Sequence, residues 1–379
     1  MPLPNLFAGL AGAALVLIIV WDAFETILVP RRIGRRVRLT RYFYLITWRV
    51  WRALAGLVPQ AARREGLLGF YGPLSLILLL SCWAAGLIVG FALLMFASGS
   101  RSVTSIADCG LVLYMSGETF FTLGYGDFTP ATTLGRVLAV FEAGLGFGFL
   151  GTVVGYLPTM YGAFAQREIE ISLMDARAGS PPTAAEFLRR TSHSGDLDLG
   201  DDLLAAWERW SAQLLETHIS YPQLAYYRSQ HRNQSWLSAL TTILDTTSLM
   251  LARAGADARP QAQLTFAMAR HALVDITQIF VPKYPGPGPE RLSAQRLALL
   301  RAQLATTPMQ LPGDDEFADR LAELRLQYEP YAQALAGYLR FELPDWVHEQ
   351  PRRDNWQGGP WDRLLRAQHA HSHRSDEHF

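Results

Sequence analysis

Cysteine and lysine are almost absent from this sequence. The only cysteines, Cys82 and Cys109, lie in or beside long apolar segments, so a disulfide framework is not indicated. The basic residues are almost all arginine, with Lys283 the single lysine, and the formal net charge is zero. A balanced charge gives no indication of a nucleic-acid partner or of an acidic substrate.

Signals of catalysis and of nucleotide binding are also missing. After residue 168 there is no strand-rich βαβ pattern and no G-x-G-x-x-G, so a nucleotide-binding domain of that type is not supported. No arrangement of nucleophile and base, and no metal-ligand spacing, is strong enough to propose an enzyme or a cofactor. The last residues contain four histidines that could bind zinc or nickel loosely, although a solvated tail is the favoured interpretation. These histidines are His369, His371, His373 and His378.

Long apolar segments are what the sequence has in abundance. Half of the 379 residues are hydrophobic, yet the mean hydropathy is only slightly positive, which favours a membrane part joined to a soluble part. The segments 5–29, 72–97 and 134–165 each reach the roughly 20 residues that a membrane-spanning helix needs. The run 6–20 lacks a preceding basic stretch and a clear cleavage site, so a secretory signal is not indicated. We predict an all-α protein with a helical membrane domain and a helical soluble domain.

The stretch 119–127, between two of these segments, reads T-F-F-T-L-G-Y-G-D. Gly124 and Gly126 can adopt backbone angles that other residues resist, so successive carbonyl groups can face one axis. A potassium ion in a membrane must exchange its hydration water for other oxygens, and rings of such carbonyls from four loops supply them. We expect Leu123 and Tyr125 to point outward and the Thr122 hydroxyl to add an innermost oxygen ring. Asp127 would close the outer mouth.

Residues 70–165 resemble the pore of tetrameric potassium channels, especially the bacterial two-transmembrane pore modules. Glu118 stands where a group of those channels carries a glutamate that pairs with the aspartate after the filter, here Asp127. Two departures concern the filter. Leu123 replaces the commoner valine, which leaves the carbonyl ring intact. Two tryptophans of that group are also replaced, so the bracing of the filter is expected to differ. The replacing residues are Tyr114 and Met115.

The resemblance implies a set of roles and a homotetramer. Potassium would be bound by the filter, residues 122–126, through the carbonyls of Thr122, Leu123, Gly124 and Tyr125, with no other metal. Glu118, Asp127 and Thr119 would support the filter. The resemblance extends through 134–140 to Gly146, which aligns with the hinge of the inner helix, and Pro158 is a second candidate for the gate. The cavity wall would be formed by Phe147, Leu150 and Val154.

Two acidic residues leave alternatives open. Glu118 either buttresses the filter and tunes inactivation or gives structural support without a role in gating. Glu142, in the inner helix, either lines the cavity and attracts cations or faces the pore helix and forms a hydrogen bond there. We favour the second role for Glu142.

Charge predicts the topology. The basic block 31–38 belongs in the cytoplasm by the positive-inside rule, which puts the N-terminus outside and the C-terminal domain inside the inner (plasma) membrane of a bacterium. Segment 38–58 has its arginines on one face, which favours a helix at the interface, with residues 31–52 near anionic lipid headgroups. A spanning helix would have to bury Arg49 and Arg52.

The predicted organisation has four parts: an N-terminal helix with a basic interfacial helix (1–66), the pore (67–167), a helical cytoplasmic domain (168–343) and a disordered tail (344–379). A capping box at 183–186 opens the first soluble helix after the break at 179–182. Further helices are predicted at 200–218, 222–231, 234–253, 260–280, 289–305 and 315–341. One polar-aromatic group is a ligand site or, as we favour, a packing cluster: His218, Tyr221, Tyr226, Tyr227, His231 and Asp245.

The sequence therefore predicts a passive potassium channel gated through residues 168–343 by an unknown stimulus. One alternative is a membrane sensor whose C-terminal domain does the biological work and whose pore is vestigial or non-selective. The translocating subunit of a potassium uptake system is ranked last, because such systems join four degenerate pore repeats in one chain and this chain has one.

Overall fold

The structure is a computed structural model and describes residues 3–27, 29, 38–99, 106–192, 198–231, 233–255, 260–349, 354–357, 359 and 361. These residues do not include the basic block 31–37, most of the loop before the predicted pore helix (100–105) or the histidines of the tail. The chain divides into two compact units. The membrane unit comprises Met1–Ala163 and Ile219–Tyr227, and the helical unit comprises Phe164–His218 and Arg228–Phe379.

Every regular element in the described part of the chain is helical, which confirms the predicted all-α fold. The membrane unit begins with α1 (Leu3–Ile27), α2 (Leu39–Gly56), α3 (Ala61–Ala97) and α4 (Ile106–Phe120). Helix α5 (Thr133–Ala178) starts in this unit and ends in the helical unit. Helices α1, α3 and α5 are long and apolar enough to cross a membrane.

Helices α1 and α3 pack through glycines. A Cβ atom added to Gly12 would lie 2.6 Å from the carbonyl oxygen of Gly90, and one added to Gly90 would lie 2.7 Å from Val16. A Cβ atom on Gly86 would overlap Ile19. Gly86 and Gly90 form a small-x-x-x-small pair, which lets two backbones approach closely where lipid provides no hydrophobic driving force between helices.

The acidic residues of α1 fix the start of α2. Asp22 is buried and accepts hydrogen bonds from the backbone amide (3.1 Å) and the hydroxyl (2.6 Å) of Thr40, and from the indole of Trp83 (3.1 Å). Glu25 accepts from the indole of Trp21 at 2.7 Å and lies 3.5 Å from Arg38. Both carboxyl groups therefore have partners within their own unit.

Helix α2 contacts the early part of α3. The Trp51 indole donates to the Leu67 carbonyl at 3.0 Å, and the hydroxyls of Thr47 and Tyr71 are 2.9 Å apart. Helix α2 is not among the helices that are apolar enough to span a membrane. Its place at the interface stays a prediction.

The helical unit surrounds α8, whose side chains are almost all buried. The unit contains α6 (Ala184–Ser192), α8 (Trp236–Ala254), α9 (Pro260–Phe280), α10 (Ala294–Leu304), α11 (Asp315–Leu326) and α12 (Glu329–Leu339), and most of α7 (Asp198–Ser220). The amide of Glu186 donates to the Thr183 hydroxyl at 3.2 Å, as the predicted capping box requires, but the Glu186 carboxylate binds Arg189 and Arg190 instead of the cap.

A buried ionic network joins α8, the start of α12 and the loop before α10. Arg291 forms two hydrogen bonds with Asp245, at 2.6 and 3.1 Å, and one with Glu329 at 3.0 Å. The Tyr328 hydroxyl donates to Asp245 at 2.6 Å. Burial raises the pKa of Asp245, whereas Arg291 opposes that change. Because all these groups are buried and partnered, we assign the network a structural role.

Three predictions about this part of the chain were wrong. The helix expected at 222–231 is only a short 3-10 helix, Pro222–Tyr226. The single helix expected at 315–341 is two helices, because the chain turns at Tyr328 and buries its ring fully. The tail was expected to begin at 344, yet Trp346 is fully buried and stacks near Arg291, so the helical unit extends beyond that point.

Replacing Gly90 by leucine should separate α1 from α3. The added side chain meets Val16 and the Gly12 backbone, and overpacking of this kind costs about 1–3 kcal/mol. The midpoint of thermal unfolding in detergent, followed by circular dichroism, should fall. Ala85→Leu, on an exposed position of the same helix, is the matched control. Equal midpoints for the two variants would contradict the assigned contact.

His218 should make the helical unit less stable in acid. Burial, together with the charge of Arg167, lowers the pKa of His218 to about 3, so the unfolded chain binds a proton that the folded chain does not. The free energy of unfolding should fall by up to about 1.4 kcal/mol per pH unit below about pH 6.5. Urea unfolding at several pH values measures this slope. His218→Asn should show a smaller slope, and an unchanged slope would exclude this residue as its source.

Candidate functional site

The loop after α4 has an alternating backbone. Thr122, Gly124 and Gly126 have positive φ angles of 55°, 64° and 74°, whereas Leu123 and Tyr125 between them do not. In an ordinary strand successive carbonyl groups point to opposite sides. When residues with positive φ alternate with residues with negative φ, successive carbonyl groups can point to the same side. Thr122 is not a glycine, so its conformation is strained, as residues at functional sites often are.

The last turn of α4 holds the start of this loop. The amide of Thr122 donates to the Thr119 carbonyl at 3.1 Å, and the amide of Leu123 donates to the Glu118 carbonyl at 2.8 Å. The Thr119 hydroxyl donates to the Met115 carbonyl at 2.7 Å and so binds its own helix. The short α4 and the loop therefore form one hydrogen-bonded piece.

A group of three side chains lies behind the loop. Glu118 is buried, and its carboxyl group lies near the Tyr125 amide and the Asp127 carboxyl group. The Tyr114 hydroxyl also lies near Asp127. The sequence left the bracing of the loop open, and the structure places Tyr114 in it. Tyr114 and Glu118 are four residues apart, so one face of α4 presents both.

Gly146 brings α5 against the end of α4. A Cβ atom at Gly146 would overlap the carbonyl oxygen of Phe120, so only glycine allows this approach. Helix α5 continues without a break through Gly146 and Pro158. The structure thus gives Gly146 a packing role, and bending at Gly146 or Pro158 stays a prediction.

Glu142 lies on the side of α5 that faces α4. Its side chain is fully buried, and Oε1 lies 2.5 Å from the hydroxyl oxygen of Ser116. The same hydroxyl oxygen lies 2.7 Å from the Ile88 carbonyl oxygen of α3. Glu142 therefore faces α4 in the structure, and its effect on ions stays a prediction.

The predicted cavity residues form an exposed face of α5. Phe147, Leu150 and Val154 are 72%, 59% and 64% exposed and are spaced for one side of a helix. Leu123 and Tyr125 of the loop are also more than half exposed. An apolar face of this kind in one chain marks a surface for lipid or for another protein.

The polar-aromatic residues singled out in the sequence do not form one site. Tyr221, Tyr226 and Tyr227 belong to the membrane unit, whereas His218, His231 and Asp245 belong to the helical unit. We call residues 219–227 the docking segment, because it packs on the helices of the membrane unit. Apart from its tyrosines, nothing in the sequence of this segment indicates the packing.

The docking segment contacts two sides of the membrane unit. The Tyr226 ring is 4% exposed and stacks on Tyr44 at 5.6 Å, with Tyr71 and Trp48 each 5.1 Å away. The Gln223 amide donates to the Tyr156 hydroxyl of α5 and lies 3.6 Å from the sulfur of Met160. One short segment therefore touches α2, α3 and α5.

The described residues contain no group of three or more acidic, histidine or cysteine side chains that could hold a metal ion. Residues 122–126 offer backbone carbonyl oxygens and the hydroxyl oxygens of Thr122 and Tyr125, and Asp127 adds a carboxylate. Such oxygen atoms are ligands for hard cations.

Residues 77–162 match a protein-family model described as "Ion channel". The matched region runs from α3 through α4 and the loop into α5. Over 212 residues the chain is 24% identical to the uncharacterized membrane protein YdjJ of Bacillus subtilis (strain 168). The alignment covers 54% of this chain and 59% of that protein, so the chain spans less than two thirds of its relative. No solved structure matches the chain.

Together with three helices able to span a membrane, these similarities support an ion-channel domain in an integral membrane protein.

Proposed function

We propose that four copies of this chain form a potassium-selective channel in the bacterial inner membrane. One observation carries the proposal. In the T-L-G-Y-G loop, immediately after a short helix, every second residue has a positive φ angle: Thr122, Gly124 and Gly126. This conformation allows the carbonyls of Thr122 to Tyr125 to face a shared axis. The match of residues 77–162 to ion channels supports the same assignment.

The proposed mechanism is passive and depends on backbone oxygens. Carbonyl groups of residues 122–126 replace the hydration shell of potassium, and several ions occupy successive sites, so that their repulsion speeds exit. The side chains behind the loop, Glu118, Asp127 and Tyr114, keep the backbone at the spacing that potassium requires. In this role the carboxyl groups support the filter and do not themselves bind the ion.

The number of copies follows from what one chain supplies. A single chain contains one loop, whereas a ring of carbonyls around an ion needs four. The exposed face formed by Phe147, Leu150 and Val154 would then line the inner cavity. We place the N-terminus outside and the helical unit in the cytoplasm, with the arginines of residues 31–52 near anionic lipid headgroups.

Gating is proposed to act through the docking segment. Its contacts on α5, Tyr156 and Met160, flank Pro158, whereas its contacts on α2 and α3 involve Tyr44, Trp48 and Tyr71. The chain enters the segment directly from α7 and leaves it into the helical unit at Arg228. A change in the helical unit, for example on binding an unidentified ligand, would therefore pull on the inner helix beside a proline.

Purified protein in liposomes should pass potassium in preference to sodium. Tyr125→Ala should lose that preference, because the aromatic side chain that braces the loop on the side away from the ion path is removed. Radiotracer or fluorescent flux assays with each ion measure the ratio. A folded tetramer that passes neither ion under any condition, or both ions equally, would favour the sensor with a vestigial or non-selective pore.

Tyr226→Ala should raise potassium flux and leave the potassium-to-sodium ratio unchanged. The variant removes three ring contacts that hold the docking segment, and a change of about 1–2 kcal/mol shifts a two-state equilibrium about 5- to 30-fold. Tyr226→Phe keeps the ring and should behave like wild type. Tyr284→Ala, at an exposed tyrosine, controls for loss of an aromatic residue. Wild-type flux from Tyr226→Ala would argue against gating through this segment.

A further inference from the structure

We propose that Glu142 is a neutral carboxylic acid that donates a hydrogen bond to Ser116 and so positions the helix that carries the filter. The assignment of the proton follows from the contacts of Ser116. Its effect on ion flow rests on the proposed channel function.

Three helices meet at the hydroxyl group of Ser116. This residue is fully buried in α4, and its oxygen lies 2.7 Å from the Ile88 carbonyl of α3. The same oxygen lies 2.5 Å from Oε1 of Glu142 in α5. Both distances are short enough to require a proton between the two oxygen atoms.

A serine hydroxyl has only one proton to donate. A backbone carbonyl can only accept, so the Ser116 proton must lie toward Ile88 for that contact to form. The second contact then needs a proton from Glu142. If Glu142 were a carboxylate and received the serine proton, the Ser116 and Ile88 oxygens would face each other without one. Only the neutral acid satisfies both contacts.

The surroundings of Glu142 favour the same state. Its other oxygen, Oε2, has no hydrogen-bond partner among the residues that the structure describes. An ionised carboxylate accepts at both oxygens, and burying it without partners costs far more than burying the acid. At membrane depth this difference is large.

The neighbouring helices offer no cation near this position. From Trp83 to Ala97, α3 has no ionisable side chain, and from Val137 to Gly155, α5 has none besides Glu142. On α4 the carboxyl group closest in sequence to Ser116 is that of Glu118, which lies near Asp127 and the Tyr125 amide. Asp108, Cys109 and Tyr114 are the other titratable residues of α4. A carboxylate at Glu142 would have no positive partner from these stretches of helix.

The consequence for the filter follows from the position of Ser116. It precedes Thr122 by less than two turns of helix, so the bond from Glu142 ties the inner helix to the base of the loop. The bond is present while Glu142 keeps its proton and is lost when rising pH removes it. Sustained potassium flux should therefore fall as the pH rises and Glu142 loses its proton.

Infrared spectroscopy of the full-length protein in lipid tests the proton directly. At neutral pH the wild type should show a carbonyl band of a neutral carboxylic acid that Glu142→Gln lacks. Ser116→Ala should keep the band but move it to higher frequency, because the acid loses its acceptor. Absence of any such band in the difference between wild type and Glu142→Gln would overturn the proposal.

Potassium flux as a function of pH tests the positioning role. The amide of Glu142→Gln still donates to Ser116 and cannot ionise, so this variant should keep flux on the alkaline side where the wild type loses it. Glu142→Leu has no donor and should show low flux throughout. A pH profile unchanged by Glu142→Gln would exclude the role. If no version passes potassium, the channel function fails while the infrared result still decides the proton.

Discussion

A polar backbone at membrane depth has to be satisfied by the protein, because lipid offers no hydrogen bonds. The loop after α4 lies between α3 and α5, which are both long and apolar enough to span a membrane, and much of the membrane unit is arranged around it. Helix α4 supplies the first acceptors, the Glu118 carboxyl group lies near the Tyr125 amide, and Gly146 lets α5 come close to the end of α4. The buried acids Asp22 and Glu142 each lie against a polar group of another helix.

Close approach of helices is the second condition. The glycines at the contact of α1 and α3, and Gly146 at the contact of α5 and α4, remove side chains where backbones must nearly touch. Small residues are useful in a membrane because packing and hydrogen bonds, rather than the exclusion of water, hold helices together.

Local patterns in the sequence predict much of this fold, whereas the contacts between residues far apart in the sequence could not be predicted from it. The apolar segments, the helix cap at Thr183 and the helices described after residue 168 follow from periodicity and cap chemistry over a few residues. The pairing of Ser116 with Glu142 does not, because nothing within either segment indicates its partner. The same holds for Tyr226, whose neighbours were read as a helix, and for Trp346, whose burial depends on residues more than fifty positions away.

The docking segment also determines when, during synthesis, the membrane unit can be completed. Tyr226 is synthesised about 180 residues after Tyr44 and only once α5 is complete. Until then, the ring faces of Tyr44, Trp48 and Tyr71 lack the partner that covers them. Domains generally fold in order from the N-terminus during synthesis, whereas the membrane unit can be completed only after residues 219–227 have been made, and these follow part of the helical unit in the sequence. Biogenesis of the membrane unit is thus tied to translation of the following domain.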